Sequence, residues 1–298
     1  MDEQRQAAYL QLIKKLIESP SEEKPQVLVD NFQLVDPGLL ETIVSVAQEF
    51  DDIGNQNASD FLTNVTLELG ELMGRDQQPI AIRKQTADIL LKCGIWQYEK
   101  TRKFLKAVEC WQKCLNIYQA IQDPIGEANS LGNLGNAYFS LGEYEQVIGF
   151  EEKCLAISRE IQYRQGESGS LGILGNAYYF LEEYEKAIDF YKQRLAISRE
   201  INDLIGEANS LGNLGEVYLS LGEYNRAISF QEESLAMSRK IGYTQGEANS
   251  VIALGKIYYF LEEHEKAIDF LERSLTISRK IICLQDLIFV HTCCDAPR

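Results

Sequence analysis

The chain has 298 residues, 45% of them hydrophobic and 25% charged, with a formal net charge of −16. That composition suits a globular chain with one or two domains and a sizeable core. The acid excess repels phosphate backbones and anionic bilayers, so neither nucleic acid nor a membrane is an expected partner. The opening "MDEQRQAAYL" is polar and no apolar run approaches spanning length, so no leader is expected and a cytoplasmic location is.

Residues 1–78 predict a small helical bundle. The first helix carries Tyr9, Leu12, Ile13, Leu16 and Ile17 on one face, the spacing of a buried stripe. "SPSEEKP" breaks it, and a second helix is expected over 24–34. Asp36 stands where it would cap a third helix with Pro37 at its first position, burying Leu40, Ile43, Ala47 and Phe50. After "DDIGNQN" a fourth helix carries Phe61, Leu62, Val65, Leu69 and Leu72. "GRDQQP" then leads into 79–125, a linker and a degenerate repeat. From residue 86 this stretch is in register with the later units, with Leu91, Tyr98, Ala107 and Leu115 in the apolar columns and Ile95 where those units have glycine. Its turn holds Lys100, Arg102, Lys103 and Lys106, read as a solvated basic cluster.

Residues 126–285 are four 40-residue units starting at Gly126, Gly166, Gly206 and Gly246. "GEANSLGNLG" occurs at 126–135 and again, letter for letter, at 206–215, and "YYFLEE" and "EKAIDF" recur in the second and fourth units. The underlying unit is therefore an 80-residue pair that was duplicated. A period of this size predicts a stacked array. Each unit reads as two antiparallel helices, in the first case about 127–140 and 144–161. A single pair buries its stripes only when neighbours stack on it. Gly135, Gly175, Gly215 and Gly255 recur in every unit, although a helix-interior glycine costs about 1 kcal/mol relative to alanine; they predict a close approach of the two helix backbones. Gly132, Gly172 and Gly212 leave two readings open, room for a partner's backbone or drift on a solvated face. The tail 286–298, within "IICLQDLIFVHTCCDAPR", lacks the next unit's Gly-Glu-Ala start. It is expected either to fold back as a cap or to be a truncated repeat, and its uncapped end offers a route to self-association.

No catalytic chemistry, cofactor or metal is expected. His264 occupies the turn slot of Tyr144, Tyr184 and Tyr224, and His291 lies near Cys293 and Cys294 with nothing to position it. The seven cysteines make no paired C-x-x-C pattern, and no phosphate-binding Gly-Lys motif occurs.

The columns Leu131, Leu134, Gly135, Tyr138 and Val147, then Leu171, Leu174, Gly175, Tyr178 and Ala187, Leu211, Leu214, Gly215, Tyr218 and Ala227, and Val251, Leu254, Gly255, Tyr258 and Ala267 resemble the tetratricopeptide repeat (TPR). The 40-residue length is similar to the long-helix subclass of Pins/LGN-type scaffolds and kinesin light chains. The opening region resembles that of cyanobacterial-type repeat proteins, some of which carry a CHAT-type protease domain. The resemblance implies an all-α, right-handed solenoid of helix pairs in a bacterial protein. It also implies a concave groove lined by Asn129, Asn133, Asn136 and Phe139, by Asn176 and Tyr179, by Asn209, Asn213 and Glu216, and by Asn249, Lys256 and Tyr259. An asparagine amide both donates and accepts, so such a ladder suits the backbone of an extended peptide. A subgroup of the family clamps C-terminal carboxylates with cations, but here those slots hold Gly132, Gly172, Asn209 and Asn213. The implied ligand is thus an internal extended segment of a protein partner rather than an acidic C-terminus. The alternative is a sensor or oligomerisation arm whose effector, for example a CHAT-type protease, lies outside this chain.

Overall fold

A computed structural model describes residues 3–294, with side chains described for 3–279. Among the described residues all regular structure is helical, and the chain divides into two compact units, 1–161 and 162–298.

The first unit begins with α1 (Glu3–Glu18), which buries Tyr9, Leu12, Ile13 and Leu16. The expected second helix is shorter than its prediction. It is α2 (Lys24–Asp30), followed by a 3₁₀ turn at Phe32–Leu34. Asn31 ends it, because the side-chain amide donates to the Val27 carbonyl at 2.8 Å and so competes with the helical ladder. Helix α3 (Pro37–Asp52) starts as expected: Asp36 accepts from the Leu39 amide at 3.0 Å. The same carboxylate accepts from the Tyr9 hydroxyl at 2.6 Å and pairs with Arg5 at 2.5 Å, which ties α1 to the start of α3. Burial disfavours the Asp36 anion, but the hydrogen bonds from Tyr9, Leu39 and Arg5 outweigh it and hold the carboxyl below its ordinary value.

Helices α4 (Gln56–Met73), α5 (Ile80–Glu99), α6 (Phe104–Ile121), α7 (Pro124–Leu141) and α8 (Tyr144–Glu160) complete the unit. One apolar core runs from Tyr9 on α1 to Cys154 on α8. The basic turn is not merely solvated. Lys103 pairs with Asp60 at 2.7 Å, Lys106 donates to Asn64 at 2.7 Å, and Lys113 pairs with Glu71 at 2.5 Å, so three lysines at the start and along the length of α6 grip α4. Helix α7 starts three residues ahead of the expected Glu127. Asp123 caps it by accepting from the Gly126 amide at 3.1 Å, and Pro124 takes the first position. That cap-plus-proline signal was present in the sequence.

The second unit holds α9 (Arg164–Phe180), α10 (Tyr184–Glu200), α11 (Leu204–Ser220), α12 (Tyr224–Ile241), α13 (Thr244–Phe260) and α14 (His264–Cys294). Successive helices pack in order, α9 on α10, α10 on α11, and so on to α14. The turns are tight, and each of those between paired helices has a left-handed residue at its centre: Glu182, Gly222 and Glu262. Helix α14 continues to Cys294. The side chains of the 286–298 tail, with His291, Cys293 and Cys294, lie outside the described residues.

Two interactions repeat inside every hairpin of the full units. A tyrosine of the first helix stacks on a phenylalanine of the second: Tyr138 on Phe150, Tyr178 on Phe190, Tyr218 on Phe230 and Tyr258 on Phe270, with ring centroids 5.2, 5.3, 5.4 and 5.5 Å apart. The second is the glycine column. A Cβ at Gly175 would stand 2.5 Å from the Tyr191 ring, at Gly215 2.6 Å from the Gln231 amide, and at Gly255 3.1 Å from Leu271. Gly135 is covered by Glu151 in the same way. The close approach is therefore side chain onto backbone, not backbone onto backbone as the sequence suggests. In the degenerate repeat Trp111 holds the covering position and lies over Gly94, one residue before the expected column. Its indole N–H donates to the Leu91 carbonyl at 3.2 Å.

This packing sets the expected outcome of two stability measurements. Gly175→Ala is expected to destabilise by about 1–3 kcal/mol in urea titration, because overpacking against a buried ring exceeds the propensity gain. Gly255→Ala is expected to be near neutral, since Leu271 can give. Asp36→Ala is expected to cost about 1–2 kcal/mol at neutral pH. The Asp36 pKa is depressed by folding, so the ionic part of that cost is full above the unfolded value of roughly 4 and fades as pH falls through the folded one. A pH series of the wild-type and variant unfolding midpoints checks it.

Candidate binding face

The groove positions lie on the first helix of each pair. In the first unit Asn129, Asn133, Asn136 and Phe139 are half-buried on α7. Tyr98 of α5 reaches this helix: its hydroxyl lies 2.8 Å from the Ser140 hydroxyl and donates to the Asn136 carbonyl at 3.4 Å. Phe139 meets Tyr144 edge-on at 5.5 Å.

In the second unit α9 contacts α11 and α11 contacts α13, so the three first helices make one wall. Between α11 and α13 the wall opens into a cleft of about 210 Å³. Asn209, Asn213, Glu216, Asn249 and Lys256 all line it, so five predicted residues converge. Gln231 and Ser234 of α12 also line it, and neither was expected. The Gln231 side chain donates to the Gly212 carbonyl at 2.9 Å and Ser234 to the Ala208 carbonyl at 2.9 Å, which fixes both against α11. Ser250 donates to Ser234 at 3.0 Å and joins α13 to the same floor. The signal that could have found Gln231 was its place in the column that covers glycine.

The asparagines are not equivalent. Asn176 accepts from the Tyr191 hydroxyl at 2.7 Å and from the Asn213 amide at 3.3 Å. These two therefore brace α9, α10 and α11 against one another. Asn249 accepts from Gln245 at 3.0 Å, a bond within the exposed part of α13. Tyr179 shares a hydrogen bond with Ser220 at 3.1 Å, and its ring packs near Tyr184 at 5.9 Å. Tyr259 is exposed and lies 6.0 Å from His264, so the histidine repeats the Tyr179–Tyr184 contact. Burial raises the Tyr191 phenol above its ordinary value, which keeps it a neutral donor to Asn176.

Two of the inner glycines, Gly172 and Gly212, find a reason that neither sequence reading supplied. The second helix of each pair covers them. A Cβ at Gly172 would stand 2.8 Å from the Arg194 guanidinium, and one at Gly212 3.3 Å from the Ser234 hydroxyl. Gly132 is the loosest, with Cys154 at 3.7 Å. Burial lowers the Arg194 pKa from its ordinary value. No group of three or more potential metal ligands occurs among the described residues, and no helix among them is long and apolar enough to cross a membrane.

Comparison with known proteins places this architecture. Models described as tetratricopeptide repeat match residues 86–160, 206–280 and 170–205. No curated protein matched in sequence. Among solved structures, BtubC (BKLC) from P. vanneervenii is similar with a TM-score of 0.57 and 20% identity, over 81% of this chain and 92% of that one. A STAND protein with a tetratricopeptide repeat sensor, PH0952 from Pyrococcus horikoshii, gives a TM-score of 0.64 and 17% identity over 94% of this chain and 45% of that one. A Rap protein complexed with competence and sporulation factor gives 0.61 and 14% over 92% and 75%. At these identities the likeness is one of fold. The repeat models span more than half of the sequence, and the chain belongs to the tetratricopeptide-repeat family.

Proposed function

We propose that the chain is a non-enzymatic scaffold that holds an extended internal segment of a protein partner against its first-helix face. The family serves protein–protein interaction, and its members are in general non-catalytic. The observation that carries the finer reading is the α11–α13 cleft. It gathers Asn209, Asn213 and Asn249 with Glu216 and Lys256 in one small recess. Amides suit a peptide backbone in either direction, and the adjacent acid and base suit a ligand with polar side chains of both signs. Lys256 is the one cation among the described residues that line the recess, which favours an internal segment over a terminal carboxylate held by paired cations. In the first unit Asn129, Asn133, Asn136 and Phe139 present a separate stretch of similar chemistry on α7. Because Asn176 and Asn213 are bonded to each other, ligand contact falls first to Asn209, Asn249 and Lys256.

The similar STAND structure carries its repeats as a sensor, so a second reading is a sensor or oligomerisation arm acting on an effector in another chain. One experiment separates the two. Affinity capture from host lysate compares the wild type with Asn209→Arg/Lys256→Glu, both shown folded by circular dichroism. A partner lost by the variant, with binding weaker by roughly tenfold or more, supports the cleft. A partner held equally by both overturns it, and a mass change on removing residues from Cys283 onward then supports the oligomerisation arm.

A further inference from the structure

A larger cavity lies in the first unit, away from the asparagine-bearing helices. It measures about 540 Å³ and is lined by Glu71, Arg75, Asp76, Arg83, Lys113 and Asn116 among others, at the junction of α4, α5 and α6. Its size falls within the range of small-molecule sites. In a chain with a net charge of −16, this lining holds three cations against two acids. Arg83 forms the floor. It is 6% exposed, its Nε donates to the Gly74 carbonyl at 3.2 Å, and its Nη2 lies 2.8 Å from Asp76. Asp76 itself is 84% exposed on the connecting loop. A buried guanidinium needs an anion, and here a surface carboxylate supplies it from a position that water can reach.

Arg75 has a different role. It forms no ion pair among the described residues, and together with Gln77 it lines a second cavity of about 260 Å³. That second cavity is mainly apolar, with Phe32, Val35, Leu72, Met73 and Ile82. Phe32 is 70% and Leu72 45% exposed, so apolar surface stands open beside a cation. Gly74 shapes the junction: a Cβ there would stand 2.6 Å from Ile117 of α6.

From this pair of cavities we infer that the first unit binds a small amphiphilic carboxylate, whose headgroup meets Arg75 and Arg83 and whose apolar chain lies along Phe32, Leu72 and Ile82. The headgroup displaces Asp76 from the Nη2 of Arg83, while the Gly74 carbonyl keeps Nε in place. Planar carboxylate on guanidinium is the strongest polar contact this lining can offer, and Lys113, held by Glu71 at 2.5 Å, adds positive potential from the α6 side. Asp76 is thereby an internal competitor for the ligand.

Isothermal titration of the full chain with sodium octanoate, inorganic phosphate and octan-1-ol tests this. Octanoate is expected to bind one-to-one, phosphate at least roughly tenfold more weakly, and the uncharged alcohol not measurably. Arg75→Gln, an exposed change that leaves the core intact, is expected to weaken octanoate by roughly tenfold. Asp76→Asn is expected to tighten it severalfold, a gain that a purely structural role for Asp76 would not produce. Arg83→Gln alters a buried group that also holds the Gly74 carbonyl, so it is not the deciding variant. Failure of octanoate to bind, equal binding by wild type and Arg75→Gln, or weakening by Asp76→Asn would each overturn the inference. Phosphate bound as tightly as octanoate would overturn the assignment of an amphiphile.

Discussion

The contact on which the array depends is a side chain laid over a glycine. In each hairpin one residue of the second helix crosses the backbone of the first at a point where a Cβ would crowd it. The glycine costs helix propensity, about 1 kcal/mol each time, yet it lets a side chain of the second helix lie against the backbone of the first. The covering residue is free to vary: Trp111, Glu151, Tyr191, Gln231 and Leu271 occupy it in turn. Constant glycine and variable cover mean that the geometry is inherited while the chemistry over the glycine is not. Two of the covers reach the candidate binding face. Tyr191 reaches Asn176, and Gln231 reaches the Gly212 carbonyl and the α11–α13 cleft. The packing device thus also supplies part of the candidate site.

A second device closes each turn in the later repeats. Lys186, Arg226 and Lys266 each pair with a turn glutamate, Glu183, Glu223 and Glu263, at 2.5, 2.7 and 2.6 Å. The same cations sit over Tyr178, Tyr218 and Tyr258 at 4.7, 5.4 and 4.9 Å from the ring centroids. An exposed ion pair alone contributes little, and a surface cation–π contact about 0.5–1 kcal/mol. Their joint placement ties the turn to the stacked Tyr–Phe pair. The first full unit has Gln146 at that position and keeps only the ring stack.

The repeat length, the helix pairs, the outer glycine column and the Asp36 cap were legible because they depend on local pattern. The tetratricopeptide columns recur at fixed spacing, and capping needs only neighbours in sequence. What was hidden depends on the partner across a gap. Ile95 marks the glycine column as lost in the degenerate repeat, but the indole of Trp111 is larger than the later covers and settles over Gly94 instead. Lys103 and Lys106 read as solvated because their partners, Asp60 and Asn64, lie 43 and 42 positions earlier. Gly172 offered a choice between groove and drift because nothing local announces that Arg194 will lie on it. Of the candidate face, what was readable is the placement of five residues named from the family pattern on one cleft. The division of labour within the column was not, since it turns on which amides find each other.

That division bears on what kind of ligand the face can select. Asn176 and Asn213 are joined through one oxygen that also takes the Tyr191 hydroxyl, so their geometry is set before any ligand arrives. Their fixed orientation lowers the entropic cost of presenting the amides beside them. Asn209, Asn249 and Lys256 line the cleft beside Asn213 without that brace. On the function proposed above, a wall braced at one end and open at the other would discriminate weakly by side chain and strongly by backbone path. Sequence preference would then rest on the few residues that differ between the duplicated units. Glu216 and Lys256 stand at the column position held by Asn136 and Asn176 in the other two units. The duplication supplied the wall, and the departures from it place one acid and one base on a single cleft.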